Sequence, residues 1–512
     1  MAFIDAKTLP DASRIEADLV IIGGGLAGIT LARELAGGPI KVAILESGGL
    51  EIDTENQALY AGSAVVRAPG NADKPFDDYP VQSRIRAYGG SGHVWGGKCA
   101  PLDPADFAAR DWAPHSGWPM SRAQMQSFYD RACDLLEIPR FGPDNALPAD
   151  PARKPLDLDP RDGFFPAPRV FTRFSGGGDK TAFDAFRTDF TSAPNITVYL
   201  NANVTRIRLN AKGDAVEDLD VGCLNGKRHT ARGKTYVLAT GGIENVRLLL
   251  ASGGIGNQSD LVGRFFQGHA TYSMDGDAET EGSAINVSRT EPMGLYLNAG
   301  RTSAHCVIGG GLPAQDRMKT GNFTLTLYSG GPPGSGSPTQ AETRAIRQTA
   351  TRIDGVQTDG QLLGCFAMSE HFPNPDSRVT LDTERLDPLG VPRIRLEWTY
   401  SARDWESFER STAGLGDALG ASGQGRLCWP IQRPDYLKIF SASRHHMGTT
   451  RMNADPKKGV VDVDSRVHGA GNLYIAGSSV FPTSGIANPT LTILALVMRL
   501  ADHLKLEMGV SR

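Results

Sequence analysis

The 512-residue sequence has few cysteines and no cysteine cluster. None of the six forms a CxxC pair, and no cysteine–histidine group has metal-ligand spacing; they are Cys99, Cys133, Cys223, Cys306, Cys365 and Cys428. The pattern argues against a disulfide framework and a zinc site. We therefore expect reduced, buried thiols, a cytoplasmic protein and no bound metal.

Long apolar runs and blocks of one charge are also missing. The longest apolar run near the C-terminus, residues 491–498, stops at Arg499 and is far too short to cross a bilayer. The N-terminal residues do not combine a basic start with an apolar core, so we expect no export signal. The formal net charge is -4, without a basic block, so neither nucleic acid nor a membrane surface is an expected partner.

Glycine is abundant instead, with 60 residues, and one glycine turn lies between an apolar run and a helical pattern. The β-branched run 19–22 predicts a strand buried on both faces of a parallel sheet. In the turn that follows, Gly23 permits a tight bend and Gly25 lets the backbone approach a pyrophosphate. Gly28 lets the next helix pack close to the strands.

A second apolar run, residues 41–45, ends in Glu46, which is placed to accept hydrogen bonds from an adenosine ribose. Strand, turn, helix, strand and acid together predict a dinucleotide-binding β-α-β unit. This unit alone leaves FAD and NAD open. A further glycine triplet at 309–311 lacks a predicted helix after it, so we expect no second unit.

A second glycine-rich segment, residues 84–107, reads RIRAYGGSGHVWGGKCAPLDPADF. Two glycine pairs bracket Ser91 and Trp95, and such a segment can lay bare backbone against a flat ligand. Taken alone, the segment is equally typical of a glycine-rich surface loop.

Together, these motifs resemble the glucose–methanol–choline (GMC) family of FAD oxidoreductases. The GxGxxG turn followed by Arg86-x-x-Gly-Gly-Ser91 carries the resemblance, and later segments extend it to the middle and the end of the chain. The implied fold is two-lobed and of the α/β (α+β) class. It combines a Rossmann-like FAD-binding domain with a substrate-binding domain that has a large mixed or antiparallel sheet. The predicted domains are residues 1–110, 196–270 and 455–512 for FAD, and 111–195 and 271–454 for the substrate.

The resemblance also implies which residues contact FAD. Beyond the first turn and Glu46, they are Arg86, Gly90, Ser91, Trp95, Gly96, Val204, Thr240, Gly241, Gly477, Pro489 and Thr490. Some family members bind FAD covalently through a histidine directly before this tryptophan. Here Val94 holds that position and the histidine is one residue earlier, at His93, so we expect non-covalent FAD.

The last part of the chain carries the predicted chemistry. Removal of hydride from an alcohol carbon requires a base for the hydroxyl proton and a polar group that fixes the hydroxyl. The family pattern His-x-x-Gly-Thr, with a histidine or asparagine before the last helix, assigns these parts to His445 and Asn488. For His446 we favour a structural role. Asn488 as N-cap and Pro489 at the first helical position predict a helix whose positive end faces the flavin.

Periodicity predicts the remaining elements. The predicted strands are 196–209, a run from 234 to the glycines at 241–242, 322–328, 393–398 and 473–476, and a helix is predicted over 122–136. Residues 150–178 are expected to cross between the domains. The Gly/Ser/Pro segment 329–341 is either a substrate lid or a flexible insertion, and the insertion is slightly favoured.

The predicted function is FAD-dependent oxidation of a sugar or glycoside secondary hydroxyl to a ketone, with hydride passing to flavin N5. The resemblance is nearest to the bacterial pyranose oxidase and glycoside 3-oxidase (3-dehydrogenase) branch, on Asn488 and the segment PNPDSRVT at 373–380. Three alternatives stay open: oxidation of a non-sugar alcohol, a flavoprotein lyase without net redox turnover, and a non-catalytic electron-transfer module. The electron acceptor, O2 or an artificial or protein acceptor, stays open too.

Overall fold

The computed structural model describes residues 2–145, 158–167, 169–172, 174, 193–272, 284–287, 305–328, 361–423, 425–428 and 440–510. The segment at 329–341 lies outside these residues, and so does much of the segment at 150–178. The lid or insertion and the domain crossing predicted for these segments stay predictions.

A six-stranded parallel sheet forms the base of one lobe. Its strands, in spatial order, are Ala2–Asp5, Ile196–Leu200, Val42–Leu45, Leu19–Ile22, Thr235–Leu238 and Leu473–Ile475. Every neighbouring pair is parallel, so all strands end at the same edge. The two central strands of the predicted β-α-β unit are buried at every residue, because their branched apolar side chains are covered on both faces.

An eight-stranded antiparallel sheet forms the second lobe. Its main path runs through Gly425–Cys428, Ala284–Val287, Gln361–Ser369, Phe323–Tyr328, His305–Gly310 and Phe164–Pro166, and Ala270–Tyr272 and Phe440–Ala442 pair beside it. Parallel and antiparallel sheets in one chain give the two-lobed α/β fold that the motifs predicted.

Three smaller sheets complete the strands. They are Asn203–Leu209, Val216–Gly222, Arg228–Arg232 and Arg14–Glu16; Arg378–Leu386, Pro392–Thr399, Gly62–Arg67 and Lys74–Pro75; and Lys98–Cys99 with Val170–Phe171. In the second of these sheets, residues 62–67 pair in parallel with residues 394–399. That pairing joins segments predicted to belong to different domains, and the domain boundaries themselves stay a prediction.

Helices cover the sheets. The described α-helices are Leu26–Glu34, Thr54–Ala58, Tyr79–Gln82, Pro104–Phe107, Gln126–Leu136, Gly241–Ala251, Leu312–Met318, Ala402–Ala421 and Thr490–Glu507. Short 3-10 turns lie at Ala6–Thr8, Gly90–His93, Ala123–Met125, Pro160–Asp162 and Ser478–Val480. The last α-helix packs its apolar face against the first and the fifth. None of the helices described here is both long and apolar enough to reach across a bilayer.

The segment 196–209 contains two strands, and the single strand predicted there is wrong. Residues 196–200 pair in the parallel sheet, whereas residues 203–209 pair with an antiparallel neighbour. Between them Asn201 has a φ of 54°. This left-handed conformation ends an extended strand, and asparagine adopts it more readily than most residues.

Helix starts also differ from the predictions. The last helix begins at Thr490 with Pro489 as its N-cap, so Asn488 is not the cap. A helix does follow Gly311, contrary to the prediction. The strand before that helix is antiparallel to its neighbours, however, so no second dinucleotide-type unit forms there. The helix predicted over 122–136 is shorter, since a 3-10 turn precedes Gln126.

Candidate active site

A cavity of about 980 Å³ opens at the carboxyl edge of the parallel sheet. Residues one or two positions after four different strands line it: Gly23, Glu46, Thr240 and Gly477. Ligands of open α/β sheets bind at this edge, because the loops of several strands converge there. The volume is also in the range of small-molecule sites, about 300–1,000 Å³.

The structure brings nearly all predicted site residues to this cavity. Its lining includes Gly23, Gly25, Glu46, Arg86, Gly90, Ser91, Trp95, Gly96, Val204, Thr240, Gly241, Gly477, Pro489 and Thr490, together with His445 and Asn488. Gly28 is the exception, since it lies behind the turn, where an added Cβ would collide with the carbonyl oxygen of Gly23. The close approach of Gly28 to Gly23 lets the helix pack against the turn, which is the role predicted for Gly28.

Two glycine turns approach each other in the cavity wall. The amide of Gly89 donates to the carbonyl of Gly24 at 2.7 Å, and a Cβ added to Gly90 would lie 3.0 Å from the Cα of Gly25. Gly90 also has a φ of 54°, which disfavours any side chain. The helix Leu26–Glu34 begins here, with free amide groups at its N-terminus. Bare backbone and a helix N-terminus together suit an anionic group such as a pyrophosphate.

Glu46 is buried in the wall of the cavity and is held by backbone amides. Its carboxylate accepts hydrogen bonds from the amides of Gly24 at 2.8 Å and Gly48 at 2.7 Å. Burial raises the pKa of Glu46, and these two amides oppose the rise. A carboxylate has about four acceptor sites, so some stay available for hydroxyl donors of a ligand.

Three arginines surround Glu244 in the same wall. The guanidinium groups of Arg84, Arg86 and Arg247 lie 3.0, 2.9 and 3.3 Å from its carboxylate. Burial raises the pKa of Glu244, but the three positive charges outweigh burial and hold the pKa at about 2. Arg84 and Arg86 also stack on the ring of Tyr60, at 4.0 and 4.2 Å from its centre. Arg86, expected to contact FAD, is thus fixed in an ion-pair cluster.

His445 and Asn488 meet in another part of the wall. Nδ2 of Asn488 lies 3.4 Å from Nε2 of His445. Oδ1 of Asn488 is buried and has no hydrogen-bond partner within the described residues. A buried acceptor without a partner indicates the place of a donor on a ligand. The predicted capping role of Asn488 is therefore wrong, and its side chain turns to His445 instead.

A chain of hydrogen bonds determines which nitrogen of His445 carries the proton. Nε2 of His269 lies 3.4 Å from the carbonyl oxygen of Ser484. A carbonyl only accepts, so this nitrogen donates. Nδ1 of His269 then accepts from Nδ1–H of His445, 2.9 Å away. Nε2 of His445 keeps its lone pair, on the side of Asn488.

The imidazole rings of His269 and His445 are both neutral near neutral pH. Burial lowers the pKa of His269 to about 4. Burial also lowers the pKa of His445 well below its usual value, and the neighbouring His269, His446 and Lys98 add to this effect. Nε2 of a neutral His445 accepts from the amide of Asn488 at 3.4 Å and can take up a proton from a ligand hydroxyl, whereas an imidazolium cannot.

The other two histidines of the sequence motifs, His446 and His93, have hydrogen-bond partners of their own. Nε2 of His446 lies 3.0 Å from the hydroxyl of Tyr79, which donates to the carbonyl of Ser443 at 2.6 Å. Burial lowers the pKa of His446 to about 3, which suits the structural role favoured for it. His93 lies 2.9 Å from the carbonyl oxygen of Tyr88, so its ring turns to the backbone.

Sequence reasoning missed several residues of the site. Thr271, Thr326 and Met368 line the cavity from the antiparallel sheet, and Lys98 lines it from a short strand. A lysine between glycines and an apolar stretch was a local signal for Lys98. His269 has no local signal, because its partner lies far away in sequence. Among the described residues, no group of three His, Cys, Asp or Glu side chains could hold a metal ion.

Comparisons with known proteins point to one family. Residues 373–496 match the model of the GMC oxidoreductase C-terminal domain. The fructose dehydrogenase large subunit of Gluconobacter japonicus is 23% identical, over 95% of this chain and 97% of its own. A C-glycoside 3-oxidase of Microbacterium trichothecenolyticum is 26% identical, over 61% of this chain and 54% of its own.

Among solved structures, pyridoxine 4-oxidase of Mesorbium loti has a TM-score of 0.57 and 19% identity, over 95% of this chain and 99% of its own. Residues 373–496 therefore belong to the GMC oxidoreductase C-terminal family, and the chain is similar to these relatives along nearly its whole length. This confirms the family, the fold and the FAD-dependent oxidation of CH–OH groups that the motifs predicted. The relatives include a dehydrogenase and an oxidase, so the electron acceptor of this GMC oxidoreductase stays open.

The cavity of this GMC oxidoreductase also fits FAD. The cradle between Gly25 and Gly90 would be narrowed by any Cβ at Gly90. The cavity extends from there to Asn488, whose buried Oδ1 has no hydrogen-bond partner among the residues that the structure describes. The last helix begins beside it at Thr490, and its free amides add partial positive charge to that end.

Proposed function

We propose that this GMC oxidoreductase oxidises a secondary hydroxyl of a sugar or glycoside to a ketone. The observation that carries the proposal is the position of His445 in the cavity wall, where its Nδ1 lies 2.9 Å from His269 and its Nε2 lies 3.4 Å from Nδ2 of Asn488. Relatives named fructose dehydrogenase and C-glycoside 3-oxidase support a sugar or glycoside as the substrate.

We assign the adenosine and the flavin of FAD to opposite ends of the cavity. Glu46 and Val204 would hold the adenosine, and the glycine turns at Gly25 and Gly90 would hold the pyrophosphate. The flavin would lie by Ser91, Trp95, Gly96, Gly477, Pro489 and Thr490. Arg86, which donates to Asn203 at 3.3 Å, and Thr240 with Gly241, which lie beside Gly23, would hold FAD nearer its adenosine. When bound, FAD supplies the acceptor for the hydride that leaves the alcohol carbon. Val94 and the backbone-bonded His93 support non-covalent binding.

The proton of the substrate hydroxyl passes to Nε2 of His445. The positive charge that forms there is shared with His269, because Nδ1–H of His445 already donates to that ring. Asn488 fixes the hydroxyl in place, since its amide can donate to the oxygen while its free Oδ1 accepts from a neighbouring hydroxyl. Thr271 and Thr326 offer further hydroxyl groups to a polyhydroxylated substrate.

An anaerobic flavin-reduction screen tests this proposal. Purified holoenzyme is mixed without oxygen with sugars, glycosides, polyols, aromatic alcohols and choline, and the visible flavin absorbance is followed. We expect a sugar or glycoside to bleach the flavin. We expect His445→Ala to slow bleaching by about 100-fold or more, at equal flavin content, because the base is lost.

The matched control is His503→Ala. His503 lies on the last helix, packs on Tyr474 and does not line the cavity, so its removal should leave the rate within about twofold. Equal rates for His445→Ala and the wild type would refute the role of His445. A flavin that no alcohol bleaches would favour the lyase or the partner-dependent alternative. Admission of air then separates an oxidase from a dehydrogenase by the speed of reoxidation.

A further inference from the structure

Lys98 is a charged residue of the cavity wall that the proposed chemistry does not use. It follows the glycine pair at 96–97 and lies on the strand Lys98–Cys99, in register with Phe171. Its side chain lines the cavity. In the part of the chain that the structure describes, its ammonium group has neither a hydrogen-bond partner nor an ion-pair partner.

Lys98 is half-buried, and its surroundings are electropositive. Burial lowers the pKa of Lys98 to about 8, and Arg169 adds to the effect. The ammonium group therefore stays mostly charged near neutral pH. Its charge also helps to lower the pKa of His445, which places Lys98 within electrostatic reach of the proposed base.

The other charged groups of the cavity wall are already compensated. Glu46 is held by backbone amides, and Glu244 is paired with Arg84 and Arg86. Arg444 is exposed, where a charge costs little. Of the charged side chains described in this wall, only Lys98 is both half-buried and without a protein partner among the described residues. A partly desolvated charge is stabilised when a ligand of opposite charge enters the cavity beside it.

We infer that Lys98 binds a carboxylate of the substrate, so that the preferred sugar or glycoside is one that carries a carboxylate, of the uronate type. A charge-assisted hydrogen bond between ammonium and carboxylate is strong and directional, and it is stronger in a cavity than in open water. The inference rests on the proposed function, because it places the substrate between Lys98 and His445.

Matched pairs of substrates test this inference. Glucose is compared with glucuronate and galactose with galacturonate, by the concentration dependence of anaerobic flavin reduction. The wild type should favour the uronate of each pair by at least about tenfold in the ratio of reduction rate to Kd. Lys98→Met should remove this preference, whereas Lys98→Arg should keep most of it.

Lys234→Met is the matched control. Lys234 pairs with Asp18 at 2.8 Å, and its side chain is 78% exposed, so its loss should not change the preference. A wild type that favours the neutral sugars would overturn the inference without any variant. A second outcome would also overturn the inference. In it, Lys98→Met lowers the ratio of reduction rate to Kd equally for both sugars of each pair and shifts the reduction potential of the flavin. Lys98 would then act on the cofactor and not on the substrate.

A binding titration separates this inference from the proposed function. Benzoate is added to holoenzyme, and its Kd is obtained from the change in flavin absorbance. We expect benzoate to bind the wild type and Lys98→Arg at least about tenfold more tightly than Lys98→Met. If no alcohol reduces the flavin, the proposed function fails, and this titration still decides the role of Lys98. Equal Kd values in all three proteins would overturn that role.

Discussion

Nδ1 of His269 lies 2.9 Å from Nδ1 of His445, and the two rings are nearly perpendicular, at 79°. Because His269 is fully buried and donates from its other nitrogen to a backbone carbonyl, it can only accept at this contact. One histidine therefore sets the tautomer of the other. His269 is a positioning residue, since it acts through His445 and does not line the cavity.

Replacement of His269 by phenylalanine should slow flavin reduction by about 10- to 100-fold. The variant has no acceptor for Nδ1–H of His445, so the base loses its fixed orientation. His269→Gln should restore much of the rate, because its side-chain oxygen can accept that hydrogen bond. Stopped-flow reduction over a range of pH checks this. Equal rates and equal pH profiles for phenylalanine and glutamine would contradict a positioning role.

The stability of the protein should fall in mild acid because of His446. Its pKa is about 3 in the folded protein, below the value of about 6.5 for an exposed histidine. The unfolded chain therefore binds a proton first as the pH falls. The stabilisation is fully present above about pH 6.5 and is lost as the pH falls toward 3, at up to ~1.4 kcal/mol per pH unit.

Urea unfolding at several pH values measures this effect. In His446→Gln the free energy of unfolding should depend less steeply on pH than in the wild type, because glutamine does not titrate. The hydrogen bond to Tyr79 can be kept by the glutamine amide, so the variant should still fold. Identical slopes in the two proteins would show that His446 is protonated as easily in the folded state.

A buried ion pair lies behind the site. Arg110 and Glu370 are joined at 2.6 and 2.8 Å, and both side chains are fully buried. Glu370→Gln should lower the free energy of unfolding by about 3–5 kcal/mol, because an unpaired guanidinium stays in the interior. Thermal or urea unfolding checks this.

An exposed pair serves as the control for that experiment. Arg140 and Asp134 also lie 2.6 Å apart, but their side chains are 61% and 53% exposed. Asp134→Asn should cost less than about 1 kcal/mol, since water screens the pair. If Glu370→Gln also lowered the free energy of unfolding by less than about 1 kcal/mol, the buried pair would be as weak as an exposed one, and the prediction would be wrong.

The dinucleotide unit could be predicted from sequence because its determinants are local. An apolar run, a glycine turn and a terminal acid lie within about thirty residues, and each sets the conformation of the residues next to it in sequence. The break at Asn201 was also local, but alternating apolar residues on both sides concealed it. The extended pattern of 196–209 outweighed the one residue type that tolerates a left-handed conformation.

The remaining parts of the site are long-range. His269 meets His445 across 176 positions, and Arg110 meets Glu370 across 260. His269 directly precedes a strand, and no spacing rule links a histidine there to a base in another segment. Asn488 was predicted both to line the site and to cap the last helix, because asparagine before a proline is typical of an N-cap. Only tertiary contacts separate the two roles.

The order of strands in the parallel sheet has a consequence for biosynthesis. Residues 19–22 lie beside residues 235–238, whose other neighbour is residues 473–475. A ribosome that adds about 5–20 residues per second needs roughly 20 to 90 s between the first and last of these strands. During that time the nascent sheet has an open edge. His445 is made only shortly before the last strand, and Asn488 only after it. FAD capture and completion of the active site therefore belong to the end of translation.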